Sequence, residues 1–391
     1  MVCEKTKDKK KKHQSERKDS GGVFLLKKIA VLFGGGACER EISVITGTLA
    51  CNLLQGEYDV LPVYLDENWR AYTSPSFFQV ELFRKGDFLK GAKRIVFDGN
   101  GVYELYANGK KRRAVCRLDG ALNCCHGGLG EGGGVSAWMA LNGIPLASPG
   151  VAPSAICMDK ALTKLVAKAL SIPVVDGIRV QEEDYQKRGE FLLKNIERRL
   201  KFPVIIKPAH LGSSIGIAVA KDLEEIRQAL KVAFALDDCV VIEKFLLGKK
   251  DVNCAAYSLK GEVYVSEAEE AFSSYDGVYG FEQKYIRKEK KEGGRSLLTG
   301  ALRQKIRGYT RTIYKRLNML GVVRVDYLVQ GEKVYLSEVN TVPGSLAYYL
   351  FCDRISEAKT FFAALVEDVI LRSSGEKKRL VTTGVLETIT K

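Results

Sequence analysis

Four groups of residues in this 391-residue chain have types and spacing suited to chemistry. Arg324-Val325-Asp326 and Glu338-Val339-Asn340 put three hard oxygen donors, Asp326, Glu338 and Asn340, on two neighbouring segments. Paired as antiparallel strands, those segments would bring the oxygens within reach of one cation. Mg²⁺ is held by such donors, commonly one or two carboxylates plus substrate phosphates. Arg324 shares a strand face with Asp326 because side chains alternate, and an Arg there suits a transferring phosphoryl group or a developing oxyanion. Taken alone, the same residues also fit a surface hairpin with ordinary charges. The second group is the apolar run 204–206, which delivers Lys207 to a Gly/Ser loop at 211–216. The N–H groups there and the hydroxyls of Ser213 and Ser214 can meet phosphate oxygens. G-x-x-x-x-G-K-[ST] is absent, so this is not a P-loop, and a glycine-rich hairpin turn fits equally well. In the third group the strand 240–242 breaks into Glu243-Lys244 and then Phe245-Leu246. Its backbone suits an adenine edge, with Asp251 toward a ribose; an edge strand with solvated charges is the alternative. The fourth is Phe33-Gly34-Gly35-Gly36 ahead of Glu39. A Gly turn between strand and helix is the ligand position of an open α/β sheet. Glu39 stands where a dinucleotide fingerprint needs Gly, and it suits an ammonium group rather than a pyrophosphate. It could also simply complement the helix dipole.

The elements that must position these groups alternate between strand and helix. The pattern predicts a strand at 29–33, a helix at 39–54 and a strand at 60–65. Hairpin strands follow over 94–117, with turns at Asp98-Gly99-Asn100-Gly101 and Asn108-Gly109. A buried strand, 118–125, ends in a Gly-rich loop at 126–134, ahead of helices at 135–142 and 151–170. Strands are expected at 173–180, 203–207, 217–220, 239–245, 252–258 and 262–269, and helices at 191–200, 222–235 and 302–320. The charged, Gly-containing stretch 272–299 reads as a mobile loop, 322–329 and 334–339 as a strand pair, and 360–371 as an amphipathic last helix. The expected domains are a disordered basic leader over 1–27, an α/β substrate domain over 28–150, a small α+β lid over 151–238, a catalytic α+β domain over 239–375, and a tail over 376–391.

Composition limits the function classes. At 46% hydrophobic and 28% charged the chain is globular rather than disordered, and no apolar run is long enough to span a bilayer. The Lys-rich first twenty residues are not a secretory signal. Net charge is +14; the first twenty residues hold eight Lys/Arg against four acids, so most of the excess lies in the body. A basic body suits an anionic ligand such as a nucleotide. Nucleic acid is the weaker reading, because no stripe of aromatic and basic residues appears. Ten cysteines with no C-x-x-C read as reduced core residues of a cytoplasmic protein, and three His are not spaced for zinc.

The ordered run GGG-x-x-E-R-E-x-S, HGG-x-GE, MDK, KP-x-x-x-GSS-x-G, IEK, EQKY, RVDY and E-x-NT-x-PG, from about Lys28 to about Leu371, resembles the D-alanine–D-alanine ligases of the ATP-grasp superfamily. Each motif is weak alone, but eight in order are specific. The resemblance implies an ATP-grasp fold behind an N-terminal open α/β domain, with ATP and two Mg²⁺ ions (Mn²⁺ being a substitute). It implies that Lys160 and Lys207 hold the ATP phosphates beside Ser213 and Ser214. Glu243, Lys244 and Leu246 match the adenine hinge, and Asp251 the ribose acid. Lys284 and Tyr285 match the loop that closes over the γ-phosphate. Asp326, Glu338 and Asn340 match the metal ligands. Glu39 matches the anchor of the first D-alanine's ammonium, linked to Ser213 and Tyr285, with His126 over that substrate. Arg324 and the Gly344 N–H match the oxyanion stabilisers.

The implied reaction is D-alanyl-D-alanine synthesis for peptidoglycan through an acyl phosphate, in the cytoplasm. The partners are small molecules, with no membrane and with a homodimer common among lookalikes. Three departures bear on the second substrate. Gly132 replaces an Asp, Ser136-Ala137 replaces Gln-Gly, and Tyr349, ahead of Leu350, stands where a Ser usually meets the second substrate's carboxylate. A related ligase with a different nucleophile is therefore the alternative. A non-catalytic nucleotide- or RNA-binding protein is a third reading, which the intact Asp326/Glu338/Asn340 set opposes.

Overall fold

In the computed structural model, residues 16–18, 24–106, 112–271, 298–374 and 383 are described. They build three large sheets and one two-stranded pair. The first has eight strands in the spatial order Leu146–Ala147, Gly120–Asn123, Lys28–Gly34, Asp59–Leu65, Ala71–Thr73, Lys93–Asp98, Gly101–Leu105 and Arg112–Arg117. The first four run parallel and the rest antiparallel. Lys28–Gly34 lies in its parallel part, and Ile29 to Phe33 are wholly buried, as a continuous apolar run in a doubly covered strand requires. The helix Arg40–Leu54 covers one face. The last helix, Ile355–Ser373, packs beside it, so Phe361, Phe362, Leu365 and Val366 share a core with Phe33, Val44 and Leu54. The two ends of the chain are thereby joined by apolar burial.

The second sheet is antiparallel, in the order Gly177–Gln181, Cys239–Lys244, Val204–Pro208 and Ala218–Ala220. Helices Glu182–Leu200 and Leu223–Phe234 cover it. The third runs Glu262–Val265, Lys250–Leu259, Val322–Gln330 and Lys333–Asn340, with Glu269–Glu270 also on Lys250–Leu259. Gly300–Arg316 packs on it through Ile306, Ile313 and Tyr314.

The structure differs from the sequence reading at several points. The helix expected over 151–170 is two, Val151–Met158 and Lys160–Ala169. Asp159 breaks it: its backbone is extended, and its carboxylate accepts from the N–H groups of Ala161 and Leu162, the usual work of an N-cap. Cys239–Lys244 sits inside the second sheet, between Gly177–Gln181 and Val204–Pro208, so the chain passes to the third sheet after Lys244 rather than at 238/239. The strand expected over 262–269 is interrupted, leaving Glu262–Val265 and Glu269–Glu270. Within the leader, Glu16–Lys18 pairs antiparallel with Phe24–Leu26. The expected loop 272–299, with Lys284 and Tyr285, lies almost wholly outside the described residues.

Candidate active site

A cavity of about 530 Å³ opens between the second and third sheets. Lys160, Lys207, Ser214, Glu243, Lys244, Leu246, Asp251, Arg324, Asp326, Glu338, Gly344 and Tyr349 all line it, so twelve sequence-selected residues from five stretches of chain meet in one place.

At one end, charge is buried densely. Glu243, 1% exposed, faces Lys207 Nζ at 3.1 Å and Lys164 Nζ at 2.9 Å. Burial alone would raise its pKa, but the two ammonium groups outweigh that and hold the carboxyl below its usual range. Burial pulls Lys160 and Lys164 below the ordinary lysine value. Lys160 Nζ donates to the Leu211 carbonyl, at the start of the Gly/Ser loop. In that loop Ser213 and Ser214 both have positive φ, 52° and 60°, a left-handed backbone of the kind that forms anion-binding concavities. The Glu243 carboxylate thus serves two lysines, and its backbone lies within the sheet, opposite Gly177 on one side and Ile205 on the other. Lys249 pairs with Asp251, which forms part of the wall.

At the other end, the strand pair behaves as its spacing predicts. Asp326 stands opposite Glu338, and Arg324 opposite Asn340, with a bulge after Asp326. Arg324 forks onto Asp326 at 2.7 and 2.8 Å, and Asn340 Nδ2 donates to the same carboxylate at 3.1 Å. Arg324 Nη1 also donates to the Tyr349 hydroxyl at 3.3 Å. Tyr349 therefore faces the cavity. Tyr348, which also reaches its wall, packs on Phe362 of the last helix. Leu350 packs against the shared core and does not line the cavity.

Glu39 is buried and accepts from the Ser213 hydroxyl, linking the first unit to the phosphate loop. A Cβ at Gly127 or at Gly212 would lie 2.7 Å from its Oε2, so only glycine lets both loops close on this carboxylate. His126 is buried behind the wall, where Thr46 Oγ1 meets its Nε2 at 2.8 Å. Burial lowers its pKa to about 4, against the pull of a hydrogen bond to the Val342 backbone. The ring is neutral at pH 7. Two departures acquire structural reasons. A Cβ at Gly132 would meet the Gly128 carbonyl at 2.8 Å, and Ser136 donates to the Pro149 carbonyl at 2.8 Å, inside the fold.

Three residues escaped the sequence reading. Lys164 lies one helical turn after Lys160, a spacing that placed it beside a known candidate. Thr46 lies two turns after Glu39 on the same helix face. Glu131 sits inside the HGG-x-GE motif, and its carboxylate accepts from the N–H groups of Val342 at 3.1 Å and Gly127 at 3.0 Å. Burial, then the charge of Glu39, pushes it up to about 7. A further feature has no local signal: Ser345, Leu346 and Ala347 are all left-handed, with φ of 50°, 51° and 50°. Each non-glycine residue in that region costs roughly 1–2 kcal/mol, so this turn, which follows Gly344, is held by its surroundings.

Buried lysines and a left-handed Gly/Ser loop facing an acidic strand pair, with the Glu39 carboxylate held against that loop, define the class: an ATP-grasp ligase that activates a carboxylate with ATP. Residues 28–149 match the family described as D-ala D-ala ligase N-terminus, and residues 166–371 that described as D-ala D-ala ligase C-terminus. A D-alanine–D-alanine ligase of Caldicellulosiruptor bescii is 31% identical over 356 residues, covering 88% of this chain and 94% of its own. One from Nitratiruptor is 34% identical over 347 residues, covering 87% and 92%. The crystal structure of D-alanine–D-alanine ligase from Helicobacter pylori superposes with a TM-score of 0.69 at 27% identity, covering 88% of this chain and 99% of that one. The chain belongs to the D-alanine–D-alanine ligase family.

Proposed function

We propose that the cavity joins two D-alanines at the expense of ATP, with the dense lysine end taking the nucleotide and the Arg324 end the amino acids. The chemistry follows from a poor electrophile. A carboxylate oxygen does not leave, so the first D-alanine must be phosphorylated on its carboxylate. The second amine, having given up a proton, then attacks the carbonyl carbon, and phosphate departs with the C–O bond electrons. The observation that carries the reading is the single cavity that Lys160, Lys207, Arg324, Asp326 and Glu338 share.

Lys160 and Lys207 hold the nucleotide's phosphates, with the loop N–H groups around Ser213 and Ser214. The stretch Glu243 to Leu246 takes the adenine, and Asp251 the ribose. Glu39 takes the first substrate's ammonium. Arg324 and the Gly344 N–H receive the oxyanion, where fixed donors act without reorganising. Tyr349 takes the second carboxylate. Asp326, Glu338 and Asn340 form an all-oxygen donor set that suits Mg²⁺, and Mn²⁺ second. Two such ions would neutralise the phosphate charge. Lys284 and Tyr285 would close the site against water.

No described helix is long and apolar enough to cross a membrane. The nine described cysteines are free, which supports a reducing cytoplasm. A homodimer is the assembly to test by sedimentation. Phosphate release that needs ATP, Mg²⁺ and D-alanine together tests the reaction. Release independent of D-alanine would remove the reading.

A further inference from the structure

Thr46 is buried at the cavity wall, on the helix that begins beside Glu39. Its one hydroxyl joins two parts of the molecule nearly 300 residues apart in sequence. It meets His126 Nε2 at 2.8 Å and accepts from the Ser345 N–H at 3.1 Å. The ring's other hydrogen bond goes to the Val342 backbone. A neutral imidazole has one N–H, and donation to that carbonyl leaves Nε2 to accept from Thr46. The hydroxyl is then fully used, giving its proton to His126 and a lone pair to Ser345. Glu131 completes the joint by accepting from Val342 N–H. Ser345 opens the left-handed run Ser345-Leu346-Ala347, which lies directly between Gly344 and the two tyrosines of the wall.

We propose that Thr46 is a positioning residue of the ligase reaction. It fixes the left-handed turn through the Ser345 amide and the His126 ring, and so sets the Gly344 N–H and Tyr349 against the second substrate. The role rests on the amino-acid end being where we place it above. It explains why a turn without glycine holds a conformation that glycine favours. It also explains why His126 lies behind the wall: the ring aligns the hydroxyl rather than reaching into the cavity. Among the described residues, the bonds of Thr46 go to His126 and Ser345 and those of the lysine cluster to Glu243 and Leu211, so the effects should separate.

The test is steady-state kinetics on Thr46→Val, which keeps the shape and loses the hydroxyl, and Thr46→Ser, which keeps the hydroxyl. Val should lower kcat about tenfold and raise the KM of the second D-alanine, with the ATP KM within about twofold, as expected when one aligning hydrogen bond is lost. Ser should stay within about threefold of the wild type. Ala347→Gly relieves the turn, so it should be nearly silent alone yet recover part of the loss in the Val background, a coupling that distant sites do not show. Should Val not fold, Thr46→Ala is read the same way. A Val variant with a lowered Tm but unchanged kcat, or one whose ATP KM rises as much as its D-alanine KM, overturns the proposal. So does strict additivity with Ala347→Gly. A wild-type protein that makes no dipeptide from D-alanine would instead overturn the ligase reading itself.

Discussion

The two ends of the cavity are built on opposite plans. At the nucleotide end, one helix and two adjacent strands bring Lys160, Lys164, Lys207 and Glu243 into a dry cluster in which each lysine beside Glu243 shares its carboxylate. At the amino-acid end, Thr46, His126, Arg324, Ser345 and Tyr349 come from elements that flank or form the first and third sheets and meet through single hydrogen bonds across distant parts of the chain, while Glu39 accepts from Ser213 of the phosphate loop. The first plan places charge and stability in the same residues. The second spends contacts on alignment. Damage at the nucleotide end should therefore appear in folding as well as in binding, and damage at the amino-acid end mainly in rate.

The sharpest way to break this contrast is Glu243→Gln. Removing one partner of a buried ion pair strands the other charge, at about 3–5 kcal/mol, and here two ammonium groups are stranded. Tm at pH 7 should fall steeply and ATP binding weaken; a Tm near the wild type would contradict the plan. The pH dependence carries a sign. The native carboxyl titrates below its ordinary value of 4.5, so its contribution is complete above that pH and is lost as pH falls below it. The wild type's advantage over Glu243→Gln should shrink in that range. At the acidic strand pair, Glu338→Gln should cost roughly a hundredfold to a thousandfold in kcat, the scale set by losing one charge stabiliser. Its Tm without nucleotide should stay nearly unchanged, and full turnover in millimolar Mg²⁺ would remove Glu338 from the metal set.

His126 gives a smaller effect in a separate pH window. Its native pKa, lowered to about 4, lies below the ordinary 6.5, so the unfolded chain binds the extra proton first. Stability is complete above about 6.5 and falls as pH drops toward 4, by roughly 2–3 kcal/mol. Thermal melts of His126→Gln should show a flatter slope between those pH values; equal slopes would mean that the ring is not buried neutral. The smallest effect sharpens the substrate assignment. Tyr349→Phe keeps the ring and removes the hydroxyl that Arg324 reaches. It should raise the second D-alanine's KM about tenfold, as for a hydrogen bond to a charged group. An unchanged KM would mean that the hydroxyl only steadies Arg324.

Much of this was legible in the sequence where local patterns carry their own geometry. Alternation in 322–329 and 334–339 correctly put Arg324, Asp326, Glu338 and Asn340 on one strand pair, because a period of two fixes the face of every residue. The turn expected at Asp98-Gly99-Asn100-Gly101 also forms, with Asp98 opposite Gly101, and the helix expected from Asp222 starts there, with Asp222 as its cap. What stayed hidden depends on partners far along the chain. Asp159 looks like any helix residue until its extended backbone is seen capping Lys160–Ala169. Lys164 and Thr46 carry ordinary helix-surface chemistry until Glu243 and Ser345 arrive opposite them. The run Ser345-Leu346-Ala347 contains no glycine to announce positive φ; what holds it is long-range, the burial of Leu346 and Ala347 in the shared core and the bond from the Ser345 N–H to Thr46.

The central claim is that this cavity joins one D-alanine to another, and the mass of the product tests it most directly. The protein would be incubated with ATP, Mg²⁺ and D-alanine alongside an equimolar mixture of other D-amino acids and D-hydroxy acids, with phosphate release followed in parallel. The account predicts D-alanyl-D-alanine as the main product, one phosphate released for each dipeptide. A main product carrying another acceptor would contradict the D-alanine assignment at Tyr349, and phosphate released without any condensed product would contradict the ligase reaction as a whole.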